Sequence, residues 1–133
     1  MDTKERKHIE VVAAIICNDN RVFATQRGYG EWKDWWEFPG GKIESDETPE
    51  QALEREIQEE LQVEIAIDRH IVTVDHDYPN FHIHMYCYLC HIPSGTPILV
   101  EAESARWLLI EQLNSVNWLP ADMVAVEKLK EIL

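Results

Sequence analysis

Apolar residues along the chain follow two spacings, one typical of strands and one typical of helices. Residues 9–17 (IEVVAAIIC) are almost wholly apolar and rich in β-branched side chains, as expected of a strand buried on both faces. Turn-forming residues at 18–20 (NDN) lead into a second strand at 21–27, which predicts a β-hairpin. Further strands are expected at 63–67, 71–78, 81–92, 98–101 and 105–110, with a turn at 79–80 and a loop at 93–97.

A helix is predicted at 49–61. Thr48 and Gln51 form a capping box, and Pro49 stands at the first helical position, where its missing N–H leaves no hydrogen bond unmade. Every fourth residue of the helix is aliphatic, and at about 100° of rotation per residue a group of glutamates lies roughly 100° away from this stripe. The apolar stripe comprises Leu53, Ile57 and Leu61, and the acidic stripe comprises Glu56, Glu59 and Glu60.

The end of the chain predicts a second helix. Residues 121–133 (ADMVAVEKLKEIL) follow Trp118-Leu119-Pro120 and have the spacing of an amphipathic helix. Strands before and after two helices predict an α/β fold in which a mixed β-sheet is sandwiched between α-helices. The chain has 133 residues, 45% of them hydrophobic, which is enough for one core, and no linker or repeat divides it. A single domain over residues 1–133 is therefore expected.

The charge of the chain argues against several classes of partner. The 12 Lys and Arg residues against 25 Asp and Glu give a net charge of -13, which disfavours DNA, RNA and anionic membrane surfaces. The first ten residues are polar and no run of about 18 apolar residues occurs, so a cytoplasmic location is expected. Cys87 and Cys90 would face opposite sides of a strand, so no zinc site is expected there.

Part of this acid is concentrated on the first predicted helix. Carboxylates at Glu56, Glu59 and Glu60 repel one another unless water or a cation separates them, and Mg²⁺ is a divalent ion that prefers oxygen ligands. The alternative is an ordinary solvated helix face. The surrounding residues favour the cation, because 41–63 read GKIESDETPEQALEREIQEELQV directly after the tight turn EFPGG at 37–41.

This segment resembles the signature of the Nudix hydrolases, G-x5-E-x7-R-E-U-x-E-E-x-G-U, where U is a bulky aliphatic residue. The matching residues are Gly41, Glu47, Arg55, Glu56, Ile57, Glu59, Glu60 and Val63. The second glycine of the signature is Gln62 here, and because left-handed backbone is often wanted just past a helix, the glutamine is expected to cost about 1 kcal/mol of strain. The resemblance implies the Nudix fold and an enzyme that hydrolyses a phosphoanhydride bond with Mg²⁺, or with Mn²⁺ as a substitute.

The resemblance also implies a role for each matched residue. The catalytic metal would be bound by the helix carboxylates and one backbone carbonyl, those of Glu56, Glu59, Glu60 and Gly40. Glu47 would be an outer metal ligand or a helper beside them. Arg55 would pair with a carboxylate of the helix, because a fixed guanidinium orients a carboxylate and keeps it ionised.

A further glutamate often completes such a site, six residues before a tryptophan in the MutT-like branch of the family. Counting back from Trp107 gives Glu101, which the resemblance implies is a catalytic residue and metal ligand. Glu103 is the alternative residue for the same role. A solvated loop acid is the alternative for either residue. The general base is left open among Glu56, Glu101 and Glu103.

The likeness is greatest to that MutT-like branch, whose members hydrolyse nucleoside triphosphates to the monophosphate and pyrophosphate, and it covers almost the whole chain. The expected partner is a small-molecule nucleotide, and the protein would be a monomer or a homodimer. Arg27 and Lys42 are candidates for contact with the phosphates. The alternatives are that Arg27 is an ordinary exposed arginine of a strand and that Lys42 only balances charge. Residues 28–36 are expected to form an exposed loop. Surfaces for stacking on a base are offered by Phe38 and the tryptophans at 32, 35 and 36, and the alternative is that the tryptophans pack over the sheet edge.

Asp122 is the candidate for base recognition. An ionised aspartate only accepts hydrogen bonds, which suits the exocyclic amine of cytosine, and members of the branch with Pro-Ala-Asp include CTP pyrophosphohydrolases. CTP, dCTP or a modified cytidine nucleotide is therefore the expected substrate, unless Asp122 caps a helix or is protonated when buried. The rival functions are an 8-oxo-dGTP-type hydrolase that cleans the nucleotide pool, a hydrolase of nucleoside diphosphate sugars or dinucleotides, and a non-catalytic nucleotide-sensing module.

Overall fold

The structure, a computed structural model, describes residues 7–100, 102 and 104–133, so Glu101 and Glu103 lie outside the described residues. The described part contains strands β1 Lys7–Asn18, β2 Arg21–Gln26, β3 Trp36–Glu37, β4 Gly40–Lys42, β5 Ala66–Tyr78, β6 Phe81–His91 and β7 Ser104–Leu109, and helices α1 Pro49–Leu61 and α2 Pro120–Ile132. A short 3-10 helix, Ile110–Ser115, precedes α2.

The strands form one mixed sheet in the order β3-β2-β1-β6-β5, with β4 paired to β1 and β7 paired to β2. β1 and β6 run parallel, from the pair Lys7 and Phe81 to the pair Ile16 and Cys90, and the other strand pairs are antiparallel. The hairpin between β1 and β2 is present as predicted. β1 is the centre of the fold, because it pairs with β2, β4 and β6 at once.

The two helices cover opposite faces of this sheet, because successive side chains of a strand point to opposite faces. Leu53 and Ile57 of α1 pack in one core with Val12 of β1, whereas Leu129 of α2 packs in the other with Ile15. Each fully buried side chain of this size stabilises the fold by roughly 1.5–3 kcal/mol. The expected sheet between helices is confirmed.

Cys87 and Cys90 lie in different cores, one on each face of the sheet, as their spacing predicted. Burial raises the pKa of the Cys87 thiol, and it raises the pKa of Cys90 to about 12. Both cysteines therefore pack as small apolar side chains. No helix in the described part of the chain is long and apolar enough to cross a membrane.

Local chemistry sets both ends of α1. At the start, Oγ1 of Thr48 accepts a hydrogen bond from the N–H of Gln51 at 3.1 Å, and Oε1 of Gln51 accepts one from the N–H of Thr48 at 3.0 Å. At the end, Gln62 adopts the left-handed conformation, with φ 57° and ψ 38°. The capping box and the left-handed residue after the helix are both confirmed.

Several predicted elements differ from the structure. One strand, β5, stands in place of the two strands predicted at 63–67 and 71–78. It continues across the exposed residues 68–70, where its pairing with β6 shifts register. Residues 98–100 are not a strand: the N–H groups of Ile98 and Val100 instead donate to the carbonyls of Leu61 (2.8 Å) and Glu60 (3.2 Å) at the end of α1. The 3-10 helix before α2 was not predicted.

Candidate active site

A groove of about 570 Å³ lies where β4, α1 and the edge of β1 meet. The pairing of β4 with β1 sets the turn EFPGG against the sheet, and α1 packs over β4 with its acidic stripe toward the groove. The lining includes the backbone turn and the side chains that the sequence predicted around it, namely Arg27, Phe38, Gly40, Gly41, Lys42, Glu56, Glu59 and Glu60.

Two glycines allow the helix carboxylates to reach the backbone of β4. A β-carbon at Gly41 would overlap the carboxylate of Glu56, and one at Gly40 would overlap the carbonyl oxygen of Val12. Oε1 of Glu60 accepts a hydrogen bond from the N–H of Gly40 at 3.0 Å. Gly41 is therefore required by the close packing of α1 on the turn, and Gly40 by the close approach of the turn to the backbone of β1.

Arg55 connects α1 to the segment that follows β4. Its Nε donates to Oε2 of Glu47 at 2.6 Å, its Nη1 to Oε2 of Glu56 at 2.8 Å, and its Nη2 to the carbonyl of Lys42 at 3.0 Å. These hydrogen bonds lower the pKa of Glu47 and raise the pKa of Arg55. The guanidinium is therefore a fixed charge that ties the loop after β4 to the helix.

The three helix carboxylates have different surroundings. Glu56 is half-buried, and burial raises its pKa although the hydrogen bond from Arg55 opposes that shift. Glu59 is largely exposed, with its Oε1 3.4 Å from Nη1 of Arg55. Glu60 is held by the N–H of Gly40. Both carboxylate oxygens of Glu47 accept hydrogen bonds: Oε2 from Nε of Arg55 at 2.6 Å, and Oε1 from Nη2 of Arg55 at 3.0 Å and from the N–H of Glu44 at 2.9 Å.

The donor set of this groove suits a hard divalent cation. Within the described ranges, no three Asp, Glu, His or Cys side chains already converge as metal ligands. Glu56, Glu59 and Glu60 nevertheless line one groove with the turn at Gly40, and all of their donor atoms are oxygen, the ligand atom that Mg²⁺ and Mn²⁺ prefer.

A smaller cavity of about 150 Å³ opens beside the groove and shares several of its walls, among them Arg27 and Phe38. Asp122, in the first turn of α2, is buried at its inner end, and its Oδ2 accepts a hydrogen bond from the N–H of Phe38 at 2.9 Å. Burial raises the pKa of Asp122 to about 8. The carboxyl group is therefore mostly neutral at pH 7 before anything binds.

An ion pair stands between the groove and the cavity. Nη2 of Arg27 donates to Oε1 of Glu37 at 2.7 Å, and its Nε donates to Oε2 at 3.2 Å. Arg27 is accordingly a half-buried, paired residue and not an exposed strand arginine. The sequence did not indicate Glu37 as a functional residue, although it stands next to the predicted Phe38.

The aromatic residues of this region have different environments from those predicted. Phe38 is only 3% exposed and packs on Trp118 with 4.6 Å between ring centroids, so it is a wall of the cavity and not an open stacking surface. The loop predicted at 28–36 is present at 28–35, but Trp36 is buried in β3. Trp32 lines the small cavity, packed against Trp35 and Tyr78 at 5.0 and 5.8 Å.

Tyr78 was also not predicted as a site residue. Its hydroxyl accepts a hydrogen bond from the N–H of Ala121 at 3.1 Å, which fixes the start of α2 beside the end of β5. It lines the small cavity together with Asp122. No local pattern of the sequence could reveal this role, because the two residues meet only after the sheet has formed.

Known proteins share both the sequence and the fold of this chain. A model of the NUDIX domain matches residues 7–129. An 8-oxo-dGTP diphosphatase of Escherichia coli is 33% identical over 95% of this chain and 99% of its own length, and a CTP pyrophosphohydrolase of the same species is 35% identical over 91% and 90%. The crystal structure of a MutT NUDIX hydrolase from Burkholderia pseudomallei superposes with a TM-score of 0.81 at 31% identity, over 92% of this chain and 98% of that one. The chain therefore belongs to the NUDIX domain family and is a Nudix hydrolase of the MutT-like branch.

Proposed function

We propose that this protein is a Mg²⁺-dependent nucleoside triphosphate pyrophosphohydrolase that forms a nucleoside monophosphate and pyrophosphate. The observation that carries the proposal is the shape of the site: a groove lined by the acidic stripe of α1 adjoins a small cavity that contains the buried Asp122. The groove suits phosphates with their metal, and the cavity suits a base. The two Escherichia coli relatives, an 8-oxo-dGTP diphosphatase and a CTP pyrophosphohydrolase, support a nucleoside triphosphate as substrate.

The phosphate end is assigned as follows. The metal would be held by the acidic stripe, the turn and the outer glutamates, namely Glu56, Glu59, Glu60, the carbonyl of Gly40, Glu47 and Glu101. When bound, the divalent ion supplies charge neutralisation on the phosphates and an acidified water. Arg55 orients Glu56 through the 2.8 Å hydrogen bond, and Lys42, which lines the same groove, would contact the phosphates.

Deprotonation of the attacking water requires a carboxylate that is ionised and close to the phosphates. Glu56 lines the groove and is held by Arg55, whereas Glu101 and Glu103 lie outside the described residues and are candidates from the sequence. One of these three residues is the proposed general base. Mn²⁺ would replace Mg²⁺, since both take oxygen ligands.

For the base end we propose a cytidine nucleotide, with CTP, dCTP or a modified form as the leading substrate. Oδ2 of Asp122 is occupied by the N–H of Phe38, so Oδ1 is the atom that would meet a base. The amine of cytosine donates to an ionised carboxylate, and that hydrogen bond would lower the pKa of Asp122 from about 8.

A second candidate is a hydrolase of 8-oxo-dGTP-type nucleotides. The neutral carboxyl group that burial produces in Asp122 can donate a hydrogen bond to a carbonyl oxygen, which a purine of this kind presents. The ion pair of Arg27 and Glu37 adds a donor and an acceptor at the mouth of the same cavity. The two candidates differ in the protonation state of Asp122 that they need.

The test is a panel of substrates with and without Mg²⁺, comprising CTP, dCTP, 8-oxo-dGTP, the other canonical triphosphates and a nucleotide sugar. We expect turnover of a triphosphate that chelation with EDTA abolishes. Glu60→Gln should lower kcat by at least about 100-fold, because one of the assigned metal ligands is lost. Glu54→Gln is the matched control, since it makes the same charge change on an exposed position of the same helix.

Two outcomes of this panel would overturn the proposal. If no triphosphate is hydrolysed while the nucleotide sugar is, the substrate class is wrong. If Glu60→Gln and Glu54→Gln are equally active, the metal assignment is wrong even though the enzyme hydrolyses triphosphates.

A further inference from the structure

We propose that Tyr29 is a substrate-contacting residue whose ring covers the outer side of the nucleoside, so that a nucleoside whose base reaches into the small cavity at Asp122 lies between Tyr29 and an apolar patch on the sheet. The inference rests on the proposed function and adds a residue that determines how tightly the nucleoside is bound. The apolar patch is formed by Ile9 and Val11 of β1 with Phe81 and Ile83 of β6.

Tyr29 has no packing role that explains it. Its side chain is 65% exposed, and it is the one Phe, Trp or Tyr among the described residues that is exposed to this degree. Neighbouring aromatic residues are packed, since Trp32 contacts Tyr78 and Trp36 is buried. A tyrosine ring presents an apolar face and a polar hydroxyl group, which suits contact with a ligand in the groove that the residue lines.

The position of Tyr29 along the groove is the second observation. Tyr29 lines the groove together with Arg27, which also borders the small cavity, and with the carboxylates of the acidic stripe. The floor of the same groove contains the apolar patch, where Ile9 and Ile83 are register partners on adjacent parallel strands and are half-buried. A nucleoside that extends from the phosphate end into the small cavity would contact this apolar patch on one side and Tyr29 on the other.

The backbone around Tyr29 supports a ring that can adjust to a ligand. The base of the loop is fixed, because the N–H of Arg27 donates to the carbonyl of Trp35 at 2.9 Å and the N–H of Asp34 donates to the carbonyl of Arg27 at 2.8 Å. Tyr29 itself stands between two glycines. Gly30 has φ +82°, and no atom lies within 4 Å of the place where its β-carbon would stand. The tip of the loop is therefore unhindered while its ends are held.

Stacking against an aromatic ring contributes to affinity for the base and not to affinity for the phosphates. We therefore expect Tyr29→Ala to raise the KM for CTP about tenfold, with kcat within about twofold of wild type. Tyr29→Phe and Tyr29→Trp, which keep a ring, should retain the wild-type KM. Glu31→Gln, a change at an exposed residue of the same loop that does not line the groove, is the control.

Titration calorimetry with the two products separates contact with the nucleoside from a general disturbance of the site. Tyr29→Ala should weaken binding of CMP about tenfold and leave binding of pyrophosphate with Mg²⁺ unchanged. Equal weakening of both ligands, or unchanged binding of CMP, would overturn the inference. If wild type hydrolyses CTP and Tyr29→Ala has the wild-type KM, only this inference fails; if wild type neither hydrolyses nor binds any nucleotide, the proposed function fails with it.

Discussion

The carboxyl group of Asp122 accepts a hydrogen bond from the backbone N–H of Phe38 at 2.9 Å, which links the first turn of α2 to the turn that leads into β4. Phe38 is two residues before Gly40, whose N–H is bonded to Glu60. One short backbone segment therefore connects the base cavity to the acidic stripe. This segment sets the distance between Asp122 in the small cavity and Glu60 in the acidic stripe. The proposed reaction depends on that distance, because the base and the phosphates of one nucleotide must be bound at the same time.

Burial of Asp122 predicts a particular dependence of stability on pH. Its pKa rises from 3.8 to about 8 on folding, so between about pH 4 and pH 8 the folded state holds a proton that the unfolded state releases. The contribution of Asp122 to stability is therefore fully present below pH 4 and is lost as the pH rises through about 8. Asp122→Asn, which keeps the acceptor for Phe38, should remove this part of the slope. Urea unfolding at pH 5, 6, 7 and 8 gives the free energy of unfolding as a function of pH. The same pH dependence in wild type and Asp122→Asn would contradict a raised pKa for Asp122.

The same group predicts how substrate preference changes with pH. A cytosine amine needs the ionised carboxylate of Asp122, whereas a carbonyl oxygen needs the neutral acid, so the ratio of kcat/KM for CTP to kcat/KM for 8-oxo-dGTP should rise as the pH increases through about 8. The ratio cancels effects on the metal and the water that both substrates share. In Asp122→Asn the ratio should be independent of pH. A wild-type ratio that is flat from pH 6 to 9 would exclude Asp122 as the group that selects the base.

The hydrogen bonds of Arg55 predict that catalysis depends on the planar geometry of its side chain and not on its positive charge alone. Arg55→Lys keeps the positive charge but cannot hold Glu47, Glu56 and the carbonyl of Lys42 together, because lysine lacks the planar fork. We expect kcat to fall about 10–100-fold, as for partners that orient metal ligands, with the helical circular dichroism retained. Arg69→Lys, on the exposed part of β5, is the matched control. Wild-type kcat in Arg55→Lys would show that charge alone is sufficient.

The left-handed backbone at Gln62 predicts that glycine at this position would stabilise the protein. The residue has φ 57°, a conformation that costs a residue with a side chain about 1 kcal/mol more than it costs glycine. Gln62→Gly should therefore increase the free energy of unfolding by about 1 kcal/mol. Gln58→Gly, an exposed position inside α1, should decrease it by a similar amount, because glycine has low helix propensity. A decrease in both variants would mean that Gln62 makes a favourable contact that offsets its strain.

The parts of this structure that the sequence predicts are those determined by neighbouring residues. The capping box of Thr48 and Gln51 and the spacing along α1 need only local hydrogen bonds and periodicity, so the helix and its acidic stripe follow directly. β5 could not be delimited in this way, because its polar residues 68–70 are tolerated only through register shifts against β6. The same is true of the cavity, where Asp122 meets Phe38 across 84 residues of sequence.

The distinction extends to the individual site residues. The family signature indicates Arg55 and the carboxylates around it because they lie within a few turns of one helix. Arg27 was predicted as a phosphate contact, but its pairing with Glu37 depends on β2 and β3 becoming neighbours. Exposure of Tyr29 and burial of Trp36, seven residues apart, likewise depend on how the loop packs, which no period in the sequence encodes.

The central claim is that the enzyme cleaves a nucleoside triphosphate to the monophosphate and pyrophosphate at the acidic stripe. The most direct measurement is a ³¹P NMR time course of CTP with the protein and Mg²⁺. The account predicts that the CTP resonances disappear while CMP and pyrophosphate appear in equal amounts, and that EDTA stops the reaction. Formation of CDP and inorganic phosphate, or unchanged CTP together with unchanged 8-oxo-dGTP in a parallel sample, would contradict it.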